Sequence, residues 1–278
     1  MAEELKYRLI YEGEEANRNR LPAHKGAISI EGVTWSLSLL AHYAATGRIR
    51  SRGELSPNIK VYIRPARQGS FINDVYIYVT EPENLFITSI AGGYVAATAG
   101  QLLNTLIAKS LKEVCGLIYK HTRHDERWLN KLPSGDVEAL IDKIEPSMRR
   151  AHEVIDDGAE TLEITKGRTP LVKFDSVTKA YVNADITGDE TSRVVSVGAF
   201  NANSGNGRVY LPDVGKTVPF AVGRGLDSPT YAALSYSLDR YVNGLPSHID
   251  LTSTEMLAAD GRVKKLIVSK ARKLNDPN

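Results

Sequence analysis

The sequence predicts an α+β chain in three parts. An N-terminal mixed α/β domain covers 1–82, a central Gly-rich apolar helical segment covers 83–165, and a C-terminal small β-barrel-like domain with one inserted helix covers 166–278. Three observations carry this division. Strand-like runs flank one long apolar helix near the start, no charged residue occurs from Asn84 through Ala108, and short strand-like runs separated by turn compositions fill the C-terminal part.

The first strand is LKYRLIY, from Leu5, whose alternation and aromatic content fit a half-buried strand. The polar stretch EGEEANRNRLPAHKG follows. Ile28, Ile30, Val33, Trp35, Leu37, Leu40 and Tyr43 then predict a mostly buried helix from about Ser29 to Ala45, stopped by Gly47. Two more strands, IKVYIRP from Ile59 and FINDVYIYV from Phe71, complete the first part.

The uncharged interval approaches the roughly 20 residues that span a bilayer. Its Ser, Thr, Gln and Asn residues raise the cost of insertion, and its glycines lower helix propensity. Gly92, Ala96 and Gly100 recur every four residues, with Asn104 one turn on and Gln101 beside it. On a continuous helix this is a bare stripe that lets two backbones approach, so these five residues are the predicted oligomer or membrane interface. A basic flank with Trp128 follows. Next comes DVEALIDKIEPSMRRAHEVIDDG, with Ser134 or Asp136 as N-cap and Pro146 breaking or kinking its middle.

A domain boundary is expected in TKGRTP, Thr165 to Pro170. Beyond it SRVVSVGAF, GRVYLP, TVPFAV, SHIDLTSTEM and VKKLIVSKA read as strands. The helix DSPTYAALSYSLDRYV interrupts them, with Asp227 or Ser228 as N-cap and Pro229 in its first turn. Short strands of this number predict a small barrel or half-barrel.

Composition excludes a polytopic membrane protein, and a net charge of only +2 does not suggest a polybasic nucleic-acid binder, although it leaves room for one local basic site. A single cysteine, Cys115, excludes an internal disulfide framework, and MAEELKYRL lacks the pattern of a signal peptide, so a reducing cytosol is the default setting. No phosphate loop, dinucleotide fingerprint, nucleophile elbow or paired metal histidines occur, so the chain is read as a non-enzyme without a cofactor. Cys115 with His121, His124 and Asp125 matches no zinc framework, and no metal site is assigned. Three basic groups are candidate anion or oligonucleotide sites. They are Arg18, Arg20 and Lys25 in the first loop, Arg64 and Arg67 between two strands, and Arg208 with Lys264 and Lys265 in the C-terminal part. The alternative for the first two groups is surface arginines answering Glu12, Glu14 and Glu15; for the third it is turn chemistry.

The segments LIYEGEEANRNRLP, RPARQGSF and VVSVGAFNANSGNGRVYLPDVGKTVPF are similar to a bacterial family of uncharacterised proteins with this three-part outline. The outline resembles the membrane effector subunit of the Hailong anti-phage defence system. That resemblance implies a homo-oligomer, cytoplasmic or associated with the bacterial inner membrane. It also implies control by a single-stranded DNA oligomer made by a partner nucleotidyltransferase, and membrane disruption when the ligand is lost. The departure from that pattern is the single, polar, Gly-rich apolar segment. Two functional readings follow. One is an oligomeric anti-phage effector acting at the membrane under nucleotide control; the other is a soluble nucleic-acid or nucleotide-binding module.

Overall fold

The computed structural model describes residues 3–50, 53–64, 71–92, 98–120, 122–183, 186–213, 215–223, 227–258 and 261–274. The chain divides into two compact units, one of residues 1–132 and 140–183, the other of 133–139 and 184–278.

In chain order the first unit contains β1 (Glu3–Glu12), α1 (Ala23–Thr46), β2 (Ile59–Ile63), β3 (Phe71–Val79), α2 (Phe86–Ala91), α3 (Thr98–Val114) and α4 (Arg123–Leu129). After α5 (Asp136–Ala151), whose first turn groups with the second unit, come β4 (Thr161–Lys166), β5 (Thr169–Phe174) and α6 (Ser176–Asn183). Its five-stranded sheet has the order β2-β3-β1-β4-β5, and every neighbouring pair is antiparallel. Leu5, Tyr7, Leu9 and Tyr11 alternate onto one face of β1 and are buried there, with Tyr11 Oη 3.3 Å from Ser29 Oγ of α1. The period-two pattern read from the sequence is thus present in β1, which the strand order places at the centre of the sheet.

The helix α1 begins six residues before the expected start. It packs on α5 through small residues: the Ser29 hydroxyl donates to the Ala151 carbonyl at 2.7 Å, and Ser36 Oγ lies 3.2 Å from Met148 Sδ. Between them Gly32 lets the backbones meet, for a Cβ there would strike the Ser147 carbonyl oxygen and lie 2.5 Å from Ala151 N. Pro146 does not break α5, which runs on to Ala151.

Two expectations are corrected here. TKGRTP is not a domain boundary: it holds the hairpin between β4 and β5, with Gly167 at φ +62° supplying the left-handed turn residue, and apart from the stretch 133–139 the second unit begins after Asn183. The uncharged interval is not one helix. Gly92, at φ +101°, caps the C-terminus of α2, and α3 runs from Thr98, so Gly92 and Gly100 do not stand on one continuous helix. Ala96 lies outside the described residues. No helix among the described residues is long and apolar enough to cross a membrane.

Gly100 is buried in α3 against its own sheet, where a Cβ would strike the Glu3 carboxylate and come within 2.8 Å of Leu5 Cδ2. Gly100→Leu is therefore expected to destabilise the monomer by about 2 kcal/mol, from overpacking. A lowered urea midpoint at unchanged oligomer mass would show this. A changed mass with an unchanged midpoint would return Gly100 to an intermolecular interface.

The second unit contains β6 (Ile186–Asn201), β7 (Asn206–Leu211), β8 (Lys216–Val222), α7 (Ser228–Val242), β9 (His248–Leu257) and β10 (Val263–Lys273). They close a barrel in the order β10-β8-β7-β6-β9. The long β6 pairs with β7 on one side and β9 on the other, with irregularities at Thr187/Glu190 and Val197/Ala199 that let one strand serve both curves. Its contact between β8 and β10 is parallel. Phe220, Val197, Leu251 and Val268 fill the interior. The helix α7 packs on this core through Ala233 and Leu234, and Ser237 Oγ accepts from Val197 N–H at 2.9 Å. The N-cap read from the sequence is present, since Asp227 accepts from Thr230 N–H at 3.2 Å.

Candidate nucleic-acid interface

Alternation along β7 decides what the barrel shows to its surroundings. Val209 and Leu211 point inward and are fully buried, while Arg208 and Tyr210 point outward, Tyr210 with 44% of its surface exposed. Across the strand pairs Arg208 stands opposite Pro219, and Tyr210 opposite Thr217. The parallel register Leu266↔Phe220 then sets Lys265, one residue earlier on β10, level with Pro219. Arg208 and Lys265 thus share one outward row two strand spacings apart, roughly 10 Å. This face carries a planar aromatic ring, an Arg fork and a Lys on a rigid sheet.

The Arg208 fork is held in place. Its Nη1 lies 3.4 Å from Glu138 Oε1 and its Nη2 donates to the Thr217 carbonyl at 3.3 Å. Glu138 belongs to the short stretch 133–139, which also binds the β6–β7 corner. The Ser134 hydroxyl accepts from Phe200 N–H at 3.0 Å, and Asp136 accepts from Asn201 Nδ2 at 2.7 Å. The two residues expected to cap α5 are thus occupied in fixing the barrel corner. Asn201 in turn accepts from the backbone of Asn203 at 2.9 Å and Ser204 at 3.2 Å, which shapes the turn.

The other sequence candidates do not converge. Arg18 and Arg20 both pair with Glu15 of their own loop, and Lys25, in the first turn of α1, pairs with Asp157 beyond α5, so each of the three cations answers a carboxylate. Arg64 stands on the first unit's sheet with its guanidinium 4.2 Å from the Tyr76 ring centre, and Arg67 lies outside the described residues. Lys264 is half-buried at the start of β10. Of the proposed interface residues, Gln101 is exposed on α3, and Asn104 is half-buried with its Oδ1 enclosed and without a hydrogen-bond partner among the described residues. Tyr210 was missed by reading cations alone, although Arg-x-Tyr on a strand puts both side chains on one face.

No group of three or more His, Cys, Asp and Glu able to hold a metal ion occurs among the described residues. His121 lies outside them, and Cys115 is buried, which pushes its thiol well above the usual range, with Asp175 adding to the effect. A cavity of about 420 Å³ in the first unit is lined by Lys112, Leu117, Asp175, Val177 and Thr178 among others. The Thr178 hydroxyl accepts from Asp175 N–H at 2.8 Å, while Asp175 Oδ1 accepts from Thr178 N–H at 2.9 Å. These reciprocal bonds are those of a helix cap for α6, and Thr178 is 3% exposed.

A five-stranded Greek-key barrel whose third and fifth strands run parallel, with a helix between its third and fourth, has the connectivity of the OB-fold. That class receives oligonucleotides or oligosaccharides on the face of its second and third strands, here β7 and β8. Residues 7–183, more than half of the chain, match a family described as a domain of unknown function (DUF7946), and the chain belongs to that family. Residues 189–272 match a family of unknown function (DUF7947), so the barrel coincides with this second match. No curated protein and no solved structure matches the chain.

Proposed function

We propose that this protein binds single-stranded oligonucleotides through the β7–β8–β10 face of its barrel and uses that binding to sense a nucleic-acid signal. The observation that carries the reading is the outward row of Arg208 and Lys265 with Tyr210 exposed beside it; Arg208 and Tyr210 lie on β7, one of the two strands an OB barrel presents to its ligand, and Lys265 on β10, next to β8. The chemistry fits a single strand. A base has a π-face that stacks on Tyr210, and the phosphates beside it take the Arg and Lys cations. The resemblance to the Hailong effector gives the proposed setting, an anti-phage oligomer restrained by an oligonucleotide from a partner nucleotidyltransferase. Membrane action in that setting would need something other than a spanning helix among the described residues.

Fluorescence anisotropy with a labelled twelve-residue oligodeoxyadenylate tests the binding. The affinity should fall as salt rises from about 50 to 200 mM. Arg208→Ala and Lys265→Ala should each lower the slope of log K against log[salt] by about 0.7. Tyr210→Ala should weaken binding at least fivefold, the effect of losing about 1 kcal/mol or more of base stacking. Binding that ignores salt and all three substitutions would place the ligand elsewhere.

A further inference from the structure

The first unit carries a second surface, on the sheet that holds Arg64. Register sorts its sheet into two faces. The face of Leu5, Tyr7, Leu9 and Tyr11 is buried, and the other bears Lys60, Tyr62 and Arg64 on β2 and its margin, Asp74, Tyr76 and Tyr78 on β3, and Glu4, Lys6 and Arg8 on β1. Tyr62 pairs across with Tyr76, and Tyr76 with Lys6; Arg64 donates its N–H to the Asp74 carbonyl, and Asp74 pairs with Arg8.

The aromatic rings form a continuous ladder. Tyr62 and Tyr78 meet edge to face with centres 5.6 Å apart, and Tyr78 and Tyr76 stack at 6.3 Å. Arg64 covers the Tyr76 ring at 4.2 Å, and Lys6 approaches it at 5.4 Å. Tyr62, on the edge strand, is 54% exposed, whereas Tyr76 is buried beneath the cations and Tyr78 is half-buried, so the accessible ring is that of Tyr62.

The charge of this face is positive. Asp74 is almost wholly buried and takes both Lys6 Nζ at 2.7 Å and Arg8 Nε at 2.9 Å, so one carboxylate answers two cations. Burial alone would raise its pKa, but the hydrogen bonds from Arg8 and Lys6 hold it below the usual range. Glu4 is bonded to the Tyr78 hydroxyl. Lys6, Arg8, Lys60 and Arg64 therefore stand against Asp74 and Glu4, four positive charges to two negative. Farther along the face stand Glu12, Glu163 and, opposite Glu163, Lys173, so the net positive charge lies over β2, β3 and β1.

We infer that this tyrosine and cation face is a second docking surface for single-stranded nucleic acid, with a base stacked on Tyr62 and backbone phosphates on Arg64, Lys6 and Lys60. A sheet that presents an exposed aromatic ring among cations can hold an unpaired base, because stacking needs only an accessible π-face and the phosphates need only a positive track. A duplex keeps its bases stacked inside and cannot use Tyr62. The inference shares the ligand class proposed for the barrel but not its residues.

The test uses the full chain, the labelled oligodeoxyadenylate and a duplex of the same sequence. Tyr62→Ala should weaken single-strand binding about tenfold. Tyr62→Phe should stay within about twofold, since the ring and not the hydroxyl does the stacking, and Arg64→Ala should reduce the salt slope by about 0.7. Tyr62 is exposed on an edge strand, so an unchanged circular dichroism spectrum and melting temperature will show that the variants fold. If Tyr62→Ala binds like the wild type while Tyr210→Ala is weakened, the sheet surface is wrong and the barrel stands; the opposite pattern removes the barrel and keeps the sheet. Equal loss for single strand and duplex in Arg64→Ala, with none in Tyr62→Ala, would reduce the face to a general anion patch and overturn the inference. No binding by the wild type would overturn both.

Discussion

Gly32→Ala is expected to destabilise the first unit by about 2–3 kcal/mol, although alanine is the better helix former. Propensity favours the substitution by about 1 kcal/mol. The new methyl, however, would lie on the Ser147 carbonyl and against Ala151 N, atoms of the α5 backbone that have no rotamer to change. Relief requires the two helices to separate, which also stretches the bond from Ser29 to the Ala151 carbonyl. Overpacking of this kind outweighs the propensity gain. The melting temperature should fall by about 5–10 °C. An equal or higher melting temperature would mean that α1 and α5 are not in backbone contact.

Acid should weaken the same unit through His152. Its ring is fully buried, 4.5 Å from the Phe174 ring centre, and burial pulls its pKa down to about 4. Nδ1 lies 2.7 Å from the Met148 carbonyl and so carries the proton, leaving Nε2, 3.1 Å from Thr178 Oγ1, to accept the threonine hydroxyl. The unfolded chain takes up a proton near pH 6.5 while the folded one resists until about pH 4. Stability from this residue is therefore complete above pH 6.5 and is lost as the pH falls toward 4, by about 3 kcal/mol. Urea titrations at pH 7 and 4.5 should show the loss in the wild type and a smaller one in His152→Gln. Equal losses in the two proteins would assign the acid sensitivity to other groups.

Strands rich in β-branched and aromatic residues are legible in the sequence: LKYRLIY alternates as β1 does, and FINDVYIYV is β3 from end to end. The barrel with its inserted helix was legible as well, because each strand is short and bounded by turn residues, and Asp227 and Pro229 mark the start of α7. The β4–β5 hairpin was not, since Lys166, Gly167 and Arg168 have the composition of a linker as much as of a turn, and only pairing tells them apart. The stripe at Gly92, Ala96 and Gly100 presupposed an unbroken helix. Sequence spacing cannot reveal that Gly92 adopts a left-handed φ and ends α2. The small-residue seam lies instead at Ser29, Gly32 and Ser36, hidden among larger apolar neighbours. The aromatic partners of the cations are within reach of the sequence, for Tyr62 and Arg64, at the end of β2, are two apart like Arg208 and Tyr210 on β7, and residues two apart on a strand share a face.

The place of β1 in its sheet has a consequence for synthesis on the ribosome. This strand is translated well before its two neighbours, and one of them, β4, emerges about 150 residues later, roughly 8–30 s at ordinary elongation rates. Until then the nascent chain carries an open backbone edge beside Tyr7, Leu9 and Tyr11, all of which end up sealed from water. A chain released before Thr161 would keep that edge for good. Such fragments should need a holding chaperone to stay dispersed, whereas the finished unit closes the edge with its own fourth strand.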